Sequence, residues 1–332
     1  MELSIATLPD FVRNAEILFL KGLDSVNMAA RNSGIFRVDN ISNHTGNTKE
    51  YSEIDLEEYA EIKGEGDQSS RARVQQGYSK VGTLYRVSKD IGITYEMRNY
   101  NKYIDVVTRL QNLGKIVSNR IELDLSHRIT FATATSYTSK EGVTIDTTVG
   151  DTLALASTVH TVRGAATTYR NRLANNPVFS KGGVEGMEQM IIENTINQFG
   201  EKVTVPYDIL WSTEDANTVN TIKEFLRSTA APEATNAGVV NVYAGKYRHV
   251  VLPRVATTAA GANDTSKAKY WGLASSSNSQ AFLGMNEEPH MKPQNGNIEF
   301  STEDFNLGAS AGYFIVIPGA RFFAISTGDA TA

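Results

Sequence analysis

The feature that most constrains this chain is a pair of long, polar, strand-like segments, residues 51–63 and 78–97, joined by a Gly-bounded stretch at 64–77. Both segments are rich in Tyr, Ile, Val, Leu and Thr, and the join opens on Gly64-Glu-Gly66 and closes on Gly77, which suits a flexible tip. A strand of a dozen residues is roughly 40 Å long. The charges of this 51–98 ribbon set Glu53, Asp55, Glu57, Glu58 and Glu61 against Arg71, Arg73, Lys80, Arg86 and Lys89, and leave no continuous apolar face. A two-stranded ribbon alone in water is marginally stable at best. It either lies on its own domain as a surface hairpin or docks on a neighbouring molecule, and its length and charge favour docking. An acidic strand and a basic tip then serve as complementary patches. Glu57, Glu58, Glu61, Lys63, Arg71, Arg73 and Lys80 are the candidate intersubunit contacts.

Elements of other kinds flank the ribbon. Pro9 and Asp10 open a helical pattern over 9–31 that Gly34 stops. Residues 39–50 are polar and turn-rich and read as an arm or linker. After the ribbon, Val106, Leu110, Leu113, Val117, Ile121 and Leu125 form one stripe of a helix over 101–128. At 1.5 Å per residue it spans about 40 Å, a backbone element. Gly114 inside it costs about 1 kcal/mol and implies a close packing contact. Residues 131–138 read as a strand or an irregular continuation. Helices are then expected over 152–175, 183–199 and 215–228. Strands are expected over 203–211, 239–243 paired with 249–255, 269–274, 297–301 and 313–326, with a small-residue loop at 256–267. The layout is α+β, its sheet completed by the C-terminal strands.

Composition removes several function classes. Hydrophobic residues make up 41% of the 332, enough for sizeable cores. The formal net charge of −5 comes from scattered charges with no basic stripe, so contact with nucleic acid is expected to be weak and non-specific. There is no cysteine, which excludes a disulfide framework and thiolate chemistry and fits synthesis in a reducing cytoplasm. The run 314–317 is cut by Pro318, far short of a membrane span, and no export signal opens the chain. Two Asn-x-Thr matches, at Asn43 and Asn263, therefore read as chance.

Catalytic and ligand motifs fail on context. Gly308-Ala-Ser310-Ala-Gly312 matches the nucleophile-elbow pattern, but that elbow needs a helix to follow and a histidine later in the chain. The segment after it is strand-like and His290 is the last histidine, so Ser310 is expected to be a turn residue between strands. The five histidines (His44, His127, His160, His249 and His290) are dispersed without metal-ligand spacing. Gly64-Glu-Gly66, Gly114-Lys115 and Gly245-Lys246 each lack elements of a phosphate cradle. The acids at 53–61 alternate faces of a strand and read as a solvated or interfacial surface, not a cation site. No cofactor, metal or active site is expected.

The order of elements — arm, charged ribbon with a Gly-rich tip, long helix, α+β domain closed by C-terminal strands — resembles the major capsid proteins of tailed double-stranded DNA bacteriophages, the Hong Kong 97-like fold. The run from Ala60-Glu-Ile-Lys-Gly-Glu-Gly66 through Tyr78-Ser-Lys-Val81 to Arg86-Val-Ser-Lys-Asp-Ile-Gly-Ile-Thr-Tyr-Glu96 is similar to that family's extended loop, and 101–128 to its spine helix. Residues 297–301 and 313–326 resemble its closing strands. The likeness spans nearly the whole chain and rests on architecture, not on a short signature. It implies an N-terminal helix and arm at 1–50 and an extended β-hairpin loop at 51–98. A spine helix and peripheral domain follow at 99–144, completed by about 295–312, and an axial domain at 145–294, completed by about 313–332. It also implies self-assembly into pentamers and hexamers of an icosahedral shell around double-stranded DNA, assembled in the host cytoplasm and residing in the virion. The implied partners are the chain itself, a portal, a separate scaffolding or decoration protein and the packaged DNA, with no membrane. A fused N-terminal scaffold is not expected; the resemblance implies a separate scaffolding protein or none. Some relatives cross-link a ribbon lysine to a neighbour's asparagine; Lys63 and Lys80 are candidate donors and Asn295 and Asn297 candidate acceptors, no motif fixes that alignment, and an ordinary ion pair is the simpler reading. An encapsulin-type shell enclosing cargo enzymes, with the 9–31 helix holding a cargo peptide, is the alternative. A serine hydrolase using Ser310 and a monomeric adhesin or tail component are more distant ones.

Overall fold

The computed structural model describes residues 8–99, 103–228, 240–292 and 305–329. The first helix, α1 (Leu8–Asp24), stops short of the expected 31. The chain then turns, and the carboxylate of Glu122 receives the backbone N–H groups of Ala30, at 2.5 Å, and Arg31, at 3.3 Å. Strand β1 (Phe36–Asn40) follows. The polar stretch at 39–50 is thus not a free arm: its start pairs in a sheet and its end opens strand β2 (Thr48–Leu56). Strand β3 (Val74–Thr83) pairs antiparallel with β2. The second leg of the expected ribbon then divides at Leu84, because β4 (Tyr85–Ile93) leaves β2 behind and joins another sheet.

A short helix α2 (Tyr95–Asn99) precedes α3 (Tyr103–Thr130), the long helix read from the sequence. The six stripe residues from Val106 to Leu125 are all buried, and α3 lies along α1 on one side and a sheet on the other. Beyond it come two small hairpins, β5 (Ser136–Thr138) with β6 (Thr144–Asp146) and β7 (His160–Thr161) with β8 (Thr168–Tyr169). The helix expected at 152–175 does not form. Asp151 accepts from the Leu153 N–H, Asn171 accepts from the Ser157 N–H, and Thr152 takes a left-handed backbone with φ 67°. Short polar side chains bonding nearby backbone draw this Thr-, Ser- and Asn-rich segment into turns.

Helix α4 (Lys181–Asn194) is capped by Ser180 and ends five residues before the expected 199. Asn197 accepts from the N–H groups of Phe199 and Glu201, both at 2.9 Å, and makes a turn instead. Strand β9 (Ile209–Ser212) begins only after Pro206, and α5 (Ala216–Arg227) is capped by Asp215. Strand β10 (Arg248–Val251) pairs parallel with β9, not with the expected 239–243, whose described residues form no named strand. Strands β11 (Trp271–Ala274), β12 (Ala281–Met291), β13 (Phe305–Val316) and β14 (Phe323–Ser326) close the fold. The expected strand at 297–301 lies outside the described residues.

The result is a mixed α/β structure with two four-stranded sheets, ordered β1-β12-β13-β4 and β10-β9-β11-β14. The last four strands are shared between the sheets: β11 and β14 sit in the second, β12 and β13 in the first. One core therefore runs through both, joining α3, the inner face of the first sheet and the aromatic pair Trp211 and Phe323 of the second. A second core packs α4 and α5 on the far side of the second sheet.

Candidate functional site

The β2–β3 ribbon has two unlike faces. Register pairs Glu50 with Val81, Ser52 with Ser79, Ile54 with Gln76 and Leu56 with Val74, a bulge at Gly77 and Tyr78 keeping these residues on one side. Four of the eight are aliphatic and well exposed: Ile54 is 68%, Leu56 57%, Val74 63% and Val81 53% exposed. The opposite side carries Tyr51, Glu53 and Asp55, which turn inward. Over 53–56 the usual arrangement is inverted, with the carboxylates of Glu53 and Asp55 inside and Ile54 and Leu56 in solvent.

The inward acids meet one cation. Arg321, from the crossing between β13 and β14, holds Asp55 through both nitrogens at 2.8 and 3.0 Å and reaches Glu53 at 3.4 Å. Burial works against its charge, and the two acids raise its pKa all the same. The turn at 195–201 completes the seat. The Gln198 N–H donates to Asp55 at 3.1 Å, the Asn197 side chain donates to the Leu56 carbonyl, and Glu201 accepts from the Glu58 N–H at 2.9 Å. Gly77 belongs here too, since a Cβ on it would strike Gln198 and Glu53.

The seven candidate contact residues divide. Lys80 is engaged within the chain, 2.9 Å from Asp146, and burial lowers its pKa. Glu57 and Arg73 pair with each other where the tip begins, and the guanidinium lies 5.4 Å from the centre of the Phe199 ring. The Arg73 N–H and guanidinium hold the Glu57 carboxyl below its ordinary pKa. The side chains of Glu58, Glu61, Lys63 and Arg71 are exposed and make no hydrogen bond or ion pair among the described residues. Residues 57–73 form no helix or strand, and within them Tyr59 is 65% exposed and Ile62 fully so.

Ser310 is not a turn residue. It sits inside β13 between His290 of β12 and Ser88 of β4, fully buried, and accepts from Arg86 at 2.9 Å. The strand β13 continues past it to Val316, where a nucleophile elbow needs a turn into a helix. Gly308 beside it has a structural reason. Charged side chains from either side of β13 pair across it, Lys292 with Asp90 at 2.7 Å and Arg86 with Glu287 at 3.5 Å, and a Cβ on Gly308 would strike both Asp90 and Lys292. Among the described residues no cluster of His, Asp and Glu is placed to hold a metal ion, and no helix is long and apolar enough to cross a membrane. Asn295 and Asn297 lie outside the described residues.

Sequence reasoning missed Arg321 and the outward aliphatics. A trace of the latter was available in the alternation Glu50-Tyr-Ser-Glu-Ile-Asp-Leu56, which sets Ile54 and Leu56 on one face and Glu53 and Asp55 on the other. Nothing local to residue 321 marks it as the partner of residues more than 260 positions away.

No protein-family model matches the chain. No curated protein matches it. Among solved structures it is similar to a virus-like particle from Pyrococcus furiosus, with a TM-score of 0.48 and 9% identity over 94% of this chain and 97% of that one. It is similar to Gordonia phage Cozz, with a TM-score of 0.48 and 11% identity over 91% and 89%. It is also similar to the capsid of cyanophage P-SCSP1u, with a TM-score of 0.48 and 11% identity over 88% and 85%.

Proposed function

We propose that this chain is a structural subunit of a self-assembling icosahedral shell, the major capsid protein of a tailed double-stranded DNA bacteriophage. The observation that carries the reading is the inverted ribbon. Ile54, Leu56, Val74 and Val81 are held in solvent by a seat that buries carboxylates instead. Exposed aliphatics on one face lose free energy to water at about 25 cal/mol for each Å², which a second molecule recovers by covering them. A second copy of this chain is the occupant. The uncommitted charges of the tip are of both signs, Glu58 and Glu61 with Lys63 and Arg71, and a head-to-tail contact between copies closes such groups into a ring. A chain whose acids slightly outnumber its bases, 37 against 32, holds packed DNA without adhering to it.

On this reading residues 51–98 are the extended loop. Residues 99–144 with 295–312 form the peripheral domain, and 145–294 with 313–332 the axial domain. The shell takes a portal and a separate scaffolding or decoration protein, and it forms in the host cytoplasm. Light scattering and negative-stain microscopy of the purified protein test the reading: rings or closed shells are expected. Ile54→Lys with Leu56→Lys should abolish them while the circular dichroism of the subunit stays unchanged. A wild-type protein that stays monomeric at every concentration defeats the proposal. The nucleic-acid content of particles isolated from the native host separates a DNA-filled capsid from an encapsulin-type shell around cargo enzymes.

A further inference from the structure

Glu53 and Gln280 meet over Gly319. A Cβ on that glycine would strike Glu53 Oε1 and Gln280 Oε1 together, so the two oxygens share the space above it. Gln280 Oε1 is buried and receives no hydrogen bond among the described residues. Glu53 is itself only 8% exposed. Its cation is largely committed elsewhere, since both nitrogens of Arg321 engage Asp55, at 2.8 and 3.0 Å, against 3.4 Å to Glu53. The other charged groups around it are committed elsewhere, Arg163 to the carbonyl of Gly77 at 3.1 Å. Asp151 is tied to His160 at 2.8 Å, Tyr169 stacks on that histidine, and Lys80 nearby is paired with Asp146. A third carboxylate charge here is neither hydrated nor well paired, which is costly in a buried site.

We propose that Glu53 is protonated when the ribbon is seated and donates that proton to Gln280 Oε1, making the seat a proton-controlled latch on the ribbon. The latch belongs to a single chain and holds whether or not the chain assembles. Burial raises the Glu53 carboxyl above its ordinary value; Arg321 opposes this, and Asp55 and Asp151 reinforce it. The sign follows from linkage. A carboxyl whose folded pKa exceeds its unfolded value stabilises the seated state fully below the unfolded value, and that contribution fades as pH rises through the folded one. Ionisation removes the donor, sets two acceptors against each other over Gly319 and adds a like charge beside Asp55 and Asp151. The ribbon then loosens from Arg321 and the 195–201 turn, while the α3 core, which Glu53 does not touch, stays packed.

The test uses Glu53→Gln, a neutral side chain of the same shape that still donates to Gln280. Hydrogen exchange of the β2 and β3 amides is followed from about pH 5 to about pH 9, corrected for intrinsic rates. Wild-type protection should fall as pH rises; in E53Q it should be flat and match the wild-type level at low pH. Asp55→Asn, which removes the ion partner of Arg321, should lower protection at every pH. Difference infrared spectroscopy of wild type against E53Q should show a protonated carboxyl that persists above about pH 6, where ordinary carboxyls have ionised. A wild type without that band, or an E53Q ribbon less protected than wild type throughout or keeping its pH dependence, overturns the latch and makes Glu53 an ionised partner of Arg321. If E53Q does not fold, exchange of the wild-type ribbon decides: protection unchanged or rising with pH overturns it.

Discussion

Gly22 of α1 and Gly114 of α3 occupy one helix crossing, each pressed against the backbone of the other helix. A Cβ on Gly22 would meet the Gln111 carbonyl, and one on Gly114 would meet the Phe19 carbonyl and the Leu23 nitrogen, both closer than 3.0 Å. The two helices therefore touch through main chain, with Phe19 and Ala15 filling the space beside the crossing.

That contact fixes the sign of one helical glycine substitution, and open space fixes the opposite sign of another. Alanine in place of a helical glycine normally gains about 1 kcal/mol. At Gly114 the added methyl must push the helix backbones apart, so Gly114→Ala should destabilise by about 1–3 kcal/mol. At Gly186 of α4 a Cβ would meet nothing within 4 Å, and Gly186→Ala should stabilise by about 1 kcal/mol. Denaturant unfolding of both variants under non-assembling conditions checks the two signs.

Arg321→Met should be among the more damaging single changes. It leaves Asp55 buried without its cation, a loss of about 3–5 kcal/mol for a broken buried pair. Limited proteolysis is the readout, with new cleavage in β2 and in the 195–201 turn before the core opens. A variant as resistant as wild type would mean that the seat does not depend on this ion pair.

His127 sets an acid limit on stability. Burial lowers its pKa to about 4, helped by the nearby cations Arg120, Lys267 and Arg128, from an ordinary 6.5. A group with a depressed folded pKa contributes stability above the unfolded value and loses it as pH falls through the folded one. Global stability should thus decline between about pH 6.5 and about pH 4, by up to about 1.4 kcal/mol per pH unit from this residue. His127→Gln should flatten the slope in chemical denaturation measured at several pH values. The direction is opposite to that of the ribbon latch, so global and ribbon readouts separate the two.

Charge reversal at the tip should distinguish the two arginines. Arg71 has no partner among the described residues of its own chain, so Arg71→Glu should impair particle formation and leave subunit stability within about 0.5 kcal/mol of wild type. Arg73 is paired with Glu57 and lies by Phe199, so Arg73→Glu should also loosen the tip of the isolated subunit. Particle yield by sedimentation and thermal unfolding of the dissociated subunit report the two effects.

The long helix was legible because its stripe from Val106 to Leu125 is a local repeat that one face of any helix must bury. Gly114 was legible for a related reason, since a glycine inside a strong helical pattern needs a packing cause. The helix expected from 215 forms as α5, one residue later, because Asp215 accepts from the Thr218 N–H and caps it. The stretch 152–175 misled because its helical spacing coincided by chance with residues whose side chains prefer to bond their own backbone.

The sequence alone determined that a long polar ribbon precedes a long amphipathic helix, because periodicity, turn residues and charge are local properties of the chain. Tertiary structure decided how much of the expected ribbon is ribbon: β4 pairs with β13, more than 200 residues away, and so leaves β3 at Leu84. Tertiary structure also decided which ribbon face is inward. Alternation separates Glu53 and Asp55 from Ile54 and Leu56, but only the arrival of Arg321 beside them makes burial of the acids the more stable choice.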